Sequence, residues 1–491
     1  MGSKKRGSGM TGAAKTGRRI GKWIGITLAV VFVGIPVVFA ALFLGIQEAS
    51  ERQWLGKTPT NGAIAARSTQ PHQVALLDVG LDSLAERLRL IESAKKSIEL
   101  EFFIYEIDTS SRLITQALAR KAAQGVKVRI LVDFAMPVFK LAPAYVKTLE
   151  ATGVEVRYYN TAGIQRIFAM QHRTHRKLLA VDRERAIIGG RNIGDDYFDL
   201  SSHYNFLDSD LLIVGPIASA IVDSFELYWA SDWVTHPDTA SVDAEEQLAD
   251  DLLGKPSDSE IALAETLRQF QPAHTRSVCP DMQFVTDFPG SGVERRRVFL
   301  AINALAREAE REITVESPYL VLRSGGVDEV KRVTTRGVKL RILTNSLGST
   351  DAFYTVASLA DGLAGLQMPN LEVWAYQGDP LLTDTRPAAS TRWGVHAKRA
   401  VFDDDTVAIG TYNIDPRSAN LNSELIVICR GDRELAQAMK TSMQARLAQS
   451  LPVIGTAQPG GDAALMGKAD EAAVWRMRAI TPLASFLDFL L

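Results

Sequence analysis

Two cysteines, Cys279 and Cys429, and seven histidines are all that 491 residues contain. So few sulfurs exclude a disulfide-dense scaffold and a cysteine-rich zinc domain. Each cysteine is read as a lone packed or surface thiol. No array of His, Cys and carboxylates spaced for a metal is visible, so no metal and no cofactor is expected. Excess charge of one sign is also lacking: 55 Lys and Arg stand against 57 Asp and Glu, a net charge of −2. The balance is uneven along the chain. Residues 1–22 carry seven basic side chains and no acid, which leaves −9 for the remainder. A protein that grips nucleic acid through its general field has a basic body. This one has a basic head and a mildly acidic body, which argues against a nucleic-acid partner.

One stretch lacks charge altogether. Trp23–Ile46 is 24 uncharged residues, and at about 1.5 Å per residue a helix of that length crosses a ~30 Å hydrocarbon core with some tilt. A cleaved signal peptide is the alternative, although its apolar core is usually only about 7–15 residues. Basic flanks resist translocation. The expectation is therefore a single-pass anchor in the inner (cytoplasmic) membrane, with the body on the periplasmic or outer face. The layout read from composition is a basic head (1–22), an anchor (23–46), a polar tether (47–72), a first unit (73–235), an acidic turn-rich linker (236–262), a second unit (263–452) and a tail (453–491). The end of the tail is apolar at helical spacing. It fits either an amphipathic helix lying on the membrane or a helix docked on the body.

The two units are copies. Ser97–Tyr105 and Glu312–Leu320 are both strand-like, Gly125-Val-Lys-Val-Arg-Ile-Leu131 returns as Gly337-Val-Lys-Leu-Arg-Ile-Leu343, and Gly153–Arg157 is echoed by Asn370–Trp374. The offsets are 215, 212 and 217. A nearly constant offset over three elements means a duplicated α/β unit rather than a short-period solenoid. Strands alternating with helices imply βαβ crossovers and mixed sheets.

The chemistry is duplicated too. His175-Arg-Lys177-x4-Asp182 is followed by Gly189-Gly190-Arg-Asn192. His396-Ala-Lys398-x4-Asp403 is followed by Gly410-Thr411-Tyr-Asn413. The residues between Lys and Asp are apolar, so each motif sits on a buried strand. Alternate strand residues share a face, so each His projects with its Lys. The two Asp are counted with the catalytic set as members of the motif, but they fall on the other parity and open turns, which favours turn-setting over direct chemistry. The glycines would let backbone approach a ligand closely. Asn192 and Asn413 would return to the His/Lys face as phosphate-binding donors. Two imidazoles, two ammonium groups and two amides suit a phosphodiester. One His attacks phosphorus, the other protonates the leaving alkoxide, and the lysines stabilise the charge. An attacking His needs a carboxylate to fix its tautomer, and Asp210 and Glu424 are the candidates.

With these residues in place, the sequence resembles the phospholipase D superfamily over about residues 75–450. The more local segments Gly189–Phe198, Phe206-x-Asp208-x-Asp210, Leu343–Leu347 with Ser349-Thr-Asp351, and Gly410–Ser418 with Leu421–Glu424 are similar to its cardiolipin synthase branch, especially the C type. Thr411 stands where Ser is more usual. The resemblance implies a duplicated phospholipase D-like fold, two βαβ halves with mixed sheets packed face to face. It also implies ping-pong phosphatidyl transfer through a phosphohistidine, with His175 as nucleophile, His396 as acid/base, and Glu424 as the glutamate that follows the second motif. The lipids implied are phosphatidylglycerol, with phosphatidylethanolamine as a second candidate. Hydrolysis to phosphatidic acid and, further off, a phosphodiesterase or nuclease activity are the alternatives.

Overall fold

The computed structural model describes residues 65–135, 138–162, 169–240, 251–269, 276–290, 296–379 and 392–483, together with Gly34 and Val38. The β-branched runs that repeat in the sequence form the inner strands of two nine-stranded mixed sheets. The first runs, in spatial order, Val234–Thr235, Val154–Tyr159, Lys127–Asp133, Ser97–Phe102, Leu178–Val181, Arg185–Gly189, Asp210–Val214, His72–Leu77 and Arg276–Cys279. The second runs Ser450–Ile454, Leu371–Tyr376, Lys339–Asn345, Glu312–Glu316, Arg399–Phe402, Thr406–Gly410, Leu425–Arg430, Asp281–Thr286 and Ala65–Ser68. The two orders correspond strand for strand, so the halves share one topology.

The outermost strand of each sheet is exchanged. Ala65–Ser68, which leads into the first half, pairs antiparallel with Asp281–Thr286 of the second sheet. Arg276–Cys279, which leads into the second half, pairs with His72–Leu77 of the first. Each half thus covers an edge of the other's sheet, where unpaired backbone groups would otherwise be exposed.

Strand alternation separates three cores. The inner faces meet in the middle, where Ile188, Leu211 and Ile213 of one sheet join Val407, Ile409 and Val427 of the other, with helices Ile217–Trp229 and Arg433–Leu447 packed beside them. The outer face of the first sheet is covered by helices Gly80–Glu92 and Thr109–Ala123, and that of the second by Arg297–Glu308, Ser324–Thr335 and Phe353–Gly362. The acidic linker contributes to the first outer core. Leu252 is buried in it and Arg112 holds Glu260 at 2.6 Å, and the helix Asp258–Gln269 carries Leu267, from the start of the expected second unit, into the same core. Helix Glu471–Ile480 docks on the second outer core through Val474, Met477 and Ile480, leaving Trp475 71% exposed. This is the docked alternative for that part of the tail; residues 484–491 lie outside the described residues. Among the described residues no helix is long and apolar enough to cross a membrane. The expected anchor, 23–46, lies outside them apart from Gly34 and Val38.

The two cysteines are not lone thiols. Cys279 and Cys429 form a disulfide, with Cα atoms 5.9 Å apart and 150 residues between them in sequence. Cys279 lies on the exchanged strand of the first sheet and Cys429 on an inner strand of the second, so the bond ties the two sheets together. Closing so long a loop restricts the unfolded chain strongly, and reduction, or Cys279→Ser with Cys429→Ser, is expected to cost about 2–4 kcal/mol. Denaturant unfolding with and without reductant measures this.

Candidate active site

Each motif starts where a buried strand begins. Lys177 precedes the strand Leu178–Val181 and Lys398 precedes Arg399–Phe402. By strand parity Lys177 shares a face with Leu179 and Val181 of the first outer core, and Lys398 with Ala400 and Phe402 of the second. The two His/Lys pairs lie at the seam between the halves, which is closed by backbone hydrogen bonds. His175 N donates to Ser423 O and Ser423 N to Arg173 O, while His396 N donates to Leu207 O. Alongside, Arg392–Val395 pairs in parallel with Tyr204–Leu207 of the first half.

The imidazoles are held crosswise. His175 Nδ1 is 3.1 Å from both oxygens of Glu424, which belongs to the second half, and 3.2 Å from Thr411 O. His396 Nδ1 is 2.5 Å from Asp208 Oδ2, which belongs to the first. Each carboxylate is fixed in turn. Glu424 accepts from Thr411 Oγ1 at 2.5 Å and Ser418 Oγ at 2.8 Å, and its own N–H donates to Asp287 Oδ2 at 2.9 Å. The other oxygen of Asp287 caps the N-terminus of helix Arg297–Glu308. Asp208 accepts from Ser209 N at 2.7 Å. With Nδ1 bound to a carboxylate, each ring has its Nε2 left for chemistry. Phe103 meets the His175 ring edge-on, and Tyr197 and Phe206 flank His396. Lys177 Nζ donates to His175 O at 2.8 Å and Lys398 Nζ to His396 O at 2.5 Å.

Asp210, expected to orient an imidazole, does not. Its carboxylate is enclosed by Arg87 (3.0 Å), Arg191 (2.9 Å) and Ser83 Oγ (2.7 Å), a buried ion cluster under helix Gly80–Glu92. Asp208 holds His396 instead. Asp208 and Asp210 lie two apart on one face of the chain, so alternation alone could not separate them. The role expected of the glycines changes likewise. A Cβ on Gly190 would sit 2.1 Å from Asp208 Oδ1, so this glycine admits the carboxylate rather than a ligand. Thr411 occupies the corresponding place in the second half and uses its hydroxyl to hold Glu424.

The remaining motif residues divide by position. Asp182 and Asp403 stand at the far ends of their strands, with φ of 54° and 52°. Asp182 accepts from the N–H groups of Lys95, Lys96 and Ser97, and Asp403 from those of Glu310, Arg311 and Glu312. They tie turns together, away from the imidazoles. Asn192 Oδ1 accepts from Ile104 N at 3.1 Å and its amide donates to Tyr197 OH at 2.9 Å. Asn413 bonds to Asp415.

Burial governs the charges. It pushes Lys177 down to about 7, assisted by the Lys398 ammonium, and Lys398 to about 8 against the pull of Asp208. It holds His175 well below the usual imidazole range, together with the charges of Lys177 and Lys398. His396 falls to about 4 through burial and Lys398, with Asp208 opposing. Both rings are therefore neutral near pH 7 in the empty site. Burial also raises Glu424 to about 7, against Lys177 and its hydroxyl donors. Burial pushes Asp208 up as well, but His396, Lys398 and Arg191 outweigh it and leave it low.

Two neutral imidazoles with fixed tautomers and two titratable ammonium groups define a site for phosphodiester transfer of the phospholipase D class. The comparisons agree. Residues 88–229 and 302–447 match the family described as "Cardiolipin synthase, PLD-like domain". A Helicobacter pylori (strain J99) protein of no described function is 31% identical over 400 residues, 76% of this chain and 79% of that one. Cardiolipin synthase C of Escherichia coli (strain K12) is 28% identical over 73% of this chain and 82% of its own length. Cardiolipin synthase A of Pseudomonas putida (strain W619) is 28% identical over 76% of this chain and 68% of its own. The phosphatidylserine synthase of Haemophilus influenzae superposes with a TM-score of 0.62 at 13% identity, over 91% of this chain and 99% of its own, which speaks for the fold alone. The chain belongs to the PLD-like domain family of the cardiolipin synthases, enzymes of the phospholipase D-type phosphatidyltransferase class.

An ammonium is charged below its pKa, so the two lysines lose charge as pH rises through about 7 to 8. Affinity for sulfate, which keeps its charge throughout, is expected to fall between about pH 6 and about pH 9 by isothermal titration. The two aspartates should separate. Asp208→Asn removes the negative charge that fixes the His396 tautomer and stabilises the protonated ring, and is expected to lower turnover by about 10²-fold or more with the fold intact. Asp210→Asn breaks a buried ion cluster and is expected to cost about 3–5 kcal/mol of stability. Paired melting and rate measurements distinguish them.

Proposed function

We propose that this protein joins phospholipids to make cardiolipin, by two-step phosphatidyl transfer through a phosphohistidine on His175. What carries the proposal is the crosswise pairing, His175 with Glu424 and His396 with Asp208, with a lysine beside each. In the first step His175 Nε2 attacks the phosphorus of a phosphatidylglycerol. The phosphorus–oxygen bond to the headgroup breaks, and His396, which takes up a proton on Nε2 from solvent as the anionic phosphate enters, gives that proton to the leaving oxygen to make free glycerol. In the second, His396 takes the proton from a hydroxyl of a second phosphatidylglycerol. That oxygen attacks phosphorus, the phosphorus–nitrogen bond breaks, and cardiolipin leaves. Lys177 and Lys398 balance the charge on the equatorial oxygens.

The asymmetry of the carboxylates supports the assignment of roles. Asp208 stays ionised beside His396 and stabilises that ring when it carries a proton. Glu424 is raised to about 7 and does less to protonate His175. Asn192 and Asn413 lie within the motif tails, and we assign them to the phosphate's surroundings. We place the body on the periplasmic or outer face of the inner membrane, anchored by residues 23–46. The Cys279–Cys429 disulfide favours that side, because disulfides persist in oxidising compartments.

Purified protein given phosphatidylglycerol alone is expected to yield cardiolipin and glycerol in equal amounts, resolved by mass spectrometry. Phosphatidic acid with glycerol would instead assign water as the acceptor. His175→Ala and His396→Ala are each expected to abolish turnover. Acid-labile label from the donor lipid should accumulate on the His396→Ala protein and not on His175→Ala; label on the reverse variant would exchange the two roles.

A further inference from the structure

The duplicated halves differ at one place beside the site. In the first half, the strand residue opposite Gly189 is Asp210, and Arg191 follows two residues after that glycine. Together with Arg87 and Ser83 they fill the space between sheet and helix with a buried ion cluster. In the second half, the residue opposite Gly410 is Ile426, and Tyr412 takes the place of Arg191. Among the described residues no ion cluster joins these two positions, and Ile426 and Tyr412 line a cavity of about 180 Å³, to whose walls the ion-paired Glu316 and Glu329 also contribute. It lies between the outer face of the second sheet and the helices Arg297–Glu308 and Ser324–Thr335. Its walls are mainly apolar, with Ile342, Ala400 and Phe402 from the sheet and Phe299, Ile302 and Ala306 from the first of these helices. Phe299, Ile302 and Ala306 are partly exposed, so the cavity communicates with solvent.

The cavity also reaches one of the motif lysines. Lys398, Gly410 and Asp415 are among its lining. Lys398, Ala400 and Phe402 share one face of their strand, so the lysine that would balance phosphate charge is continuous with the apolar wall. Space of this size is ample for hydrocarbon: an engineered apolar cavity of ~150 Å³ stays dry and takes up benzene. A void left in a core is costly, because its lining forfeits contacts, and the first half shows that this scaffold can fill the same place.

We propose that this cavity is an acyl-chain subsite, which receives one fatty-acyl chain of a phospholipid whose phosphate lies between Lys177 and Lys398. The inference rests on the phosphatidyl-transfer reading and adds to it a place for the lipid tail. It makes the two halves unequal: one lipid is held by the second half through its tail, and the counterpart position in the first half is closed to hydrocarbon.

The test compares dihexanoyl- and dioctanoyl-phosphatidylglycerol, both kept below aggregation, with wild type and with Ala306→Phe, which fills the cavity from a helix face. Each methylene that enters is worth about fourfold in affinity. The two additional methylenes of one chain are therefore expected to lower the wild-type KM by about an order of magnitude, and this ratio should collapse toward one in Ala306→Phe. Equal KM values for both lipids in wild type, or a ratio that survives Ala306→Phe while the melting temperature rises, would identify a packing void and overturn the proposal. Absence of turnover with either lipid would count against phosphatidyl transfer and not against the cavity. In that case binding of a fluorescent fatty acid decides: uptake by wild type and loss in Ala306→Phe supports the subsite, and equal uptake or none by both sinks it. Ala400→Leu fills the same space from the sheet and repeats the comparison if Ala306→Phe does not fold.

Discussion

The crossed carboxylate–imidazole pairs are the constraint on which the rest of this structure depends. Neither half can orient its own motif histidine. His175 needs Glu424 and His396 needs Asp208, each supplied by the other half. A carboxylate buried beside two lysines is costly to desolvate, and the cost is offset only when the geometry is good and the remaining lone pairs are satisfied. Thr411, Ser418 and the backbone of Ser209 satisfy them. The exchanged edge strands, the parallel pairing of Arg392–Val395 with Tyr204–Leu207, and the disulfide can all be read as consequences. Each locks the halves in the one relative position at which both pairs close.

Burial at that seam sets the chemistry. Two ammonium groups taken out of water beside each other lose proton affinity, and so do the imidazoles near them. An incoming phosphate reverses the balance, because its negative charge favours the protonated lysines again. The two lysines are thus poised to regain charge beside an anion that enters the site.

Much of this was legible in the sequence, for physical reasons. The offsets near 215 residues gave the duplication, since a repeated unit must repeat its strands. The parity of His and Lys on an apolar strand gave their common direction, and the odd spacing of Asp182 and Asp403 gave their removal from it. What was not legible depends on contacts between segments far apart in sequence. Asp208 and Asp210 share a face, so only the partner across the seam distinguishes the one that orients His396 from the one that joins Arg87 and Arg191. The disulfide escaped for the same reason. Cys279 lies on a strand that joins the sheet of the other half, and the strand exchange that brings it to Cys429 leaves no mark in local pattern. Gly190 was expected to bring backbone close to a ligand, and what approaches it is a carboxylate from its own half.

On the proposed reaction, a duplicated enzyme that works on two lipids faces a conflict between symmetry and selectivity. The phosphorus must be met from two sides by equivalent groups, and the matched motifs provide that. The substrates are not equivalent, since one is the donor and the other the acceptor, so symmetry must fail somewhere away from phosphorus. It fails at the outer faces of the sheets. One half spends the space beside its motif on Arg87, Arg191 and Asp210, a polar filling that excludes hydrocarbon. The other places Ile426 and Tyr412 there and leaves an apolar opening that runs to Lys398. The polar cluster buttresses the strand Asp210–Val214, two residues beyond Asp208, so on the proposed reading rigidity for the His396–Asp208 pair and room for a lipid tail fall on opposite sides of one pseudo-symmetric frame.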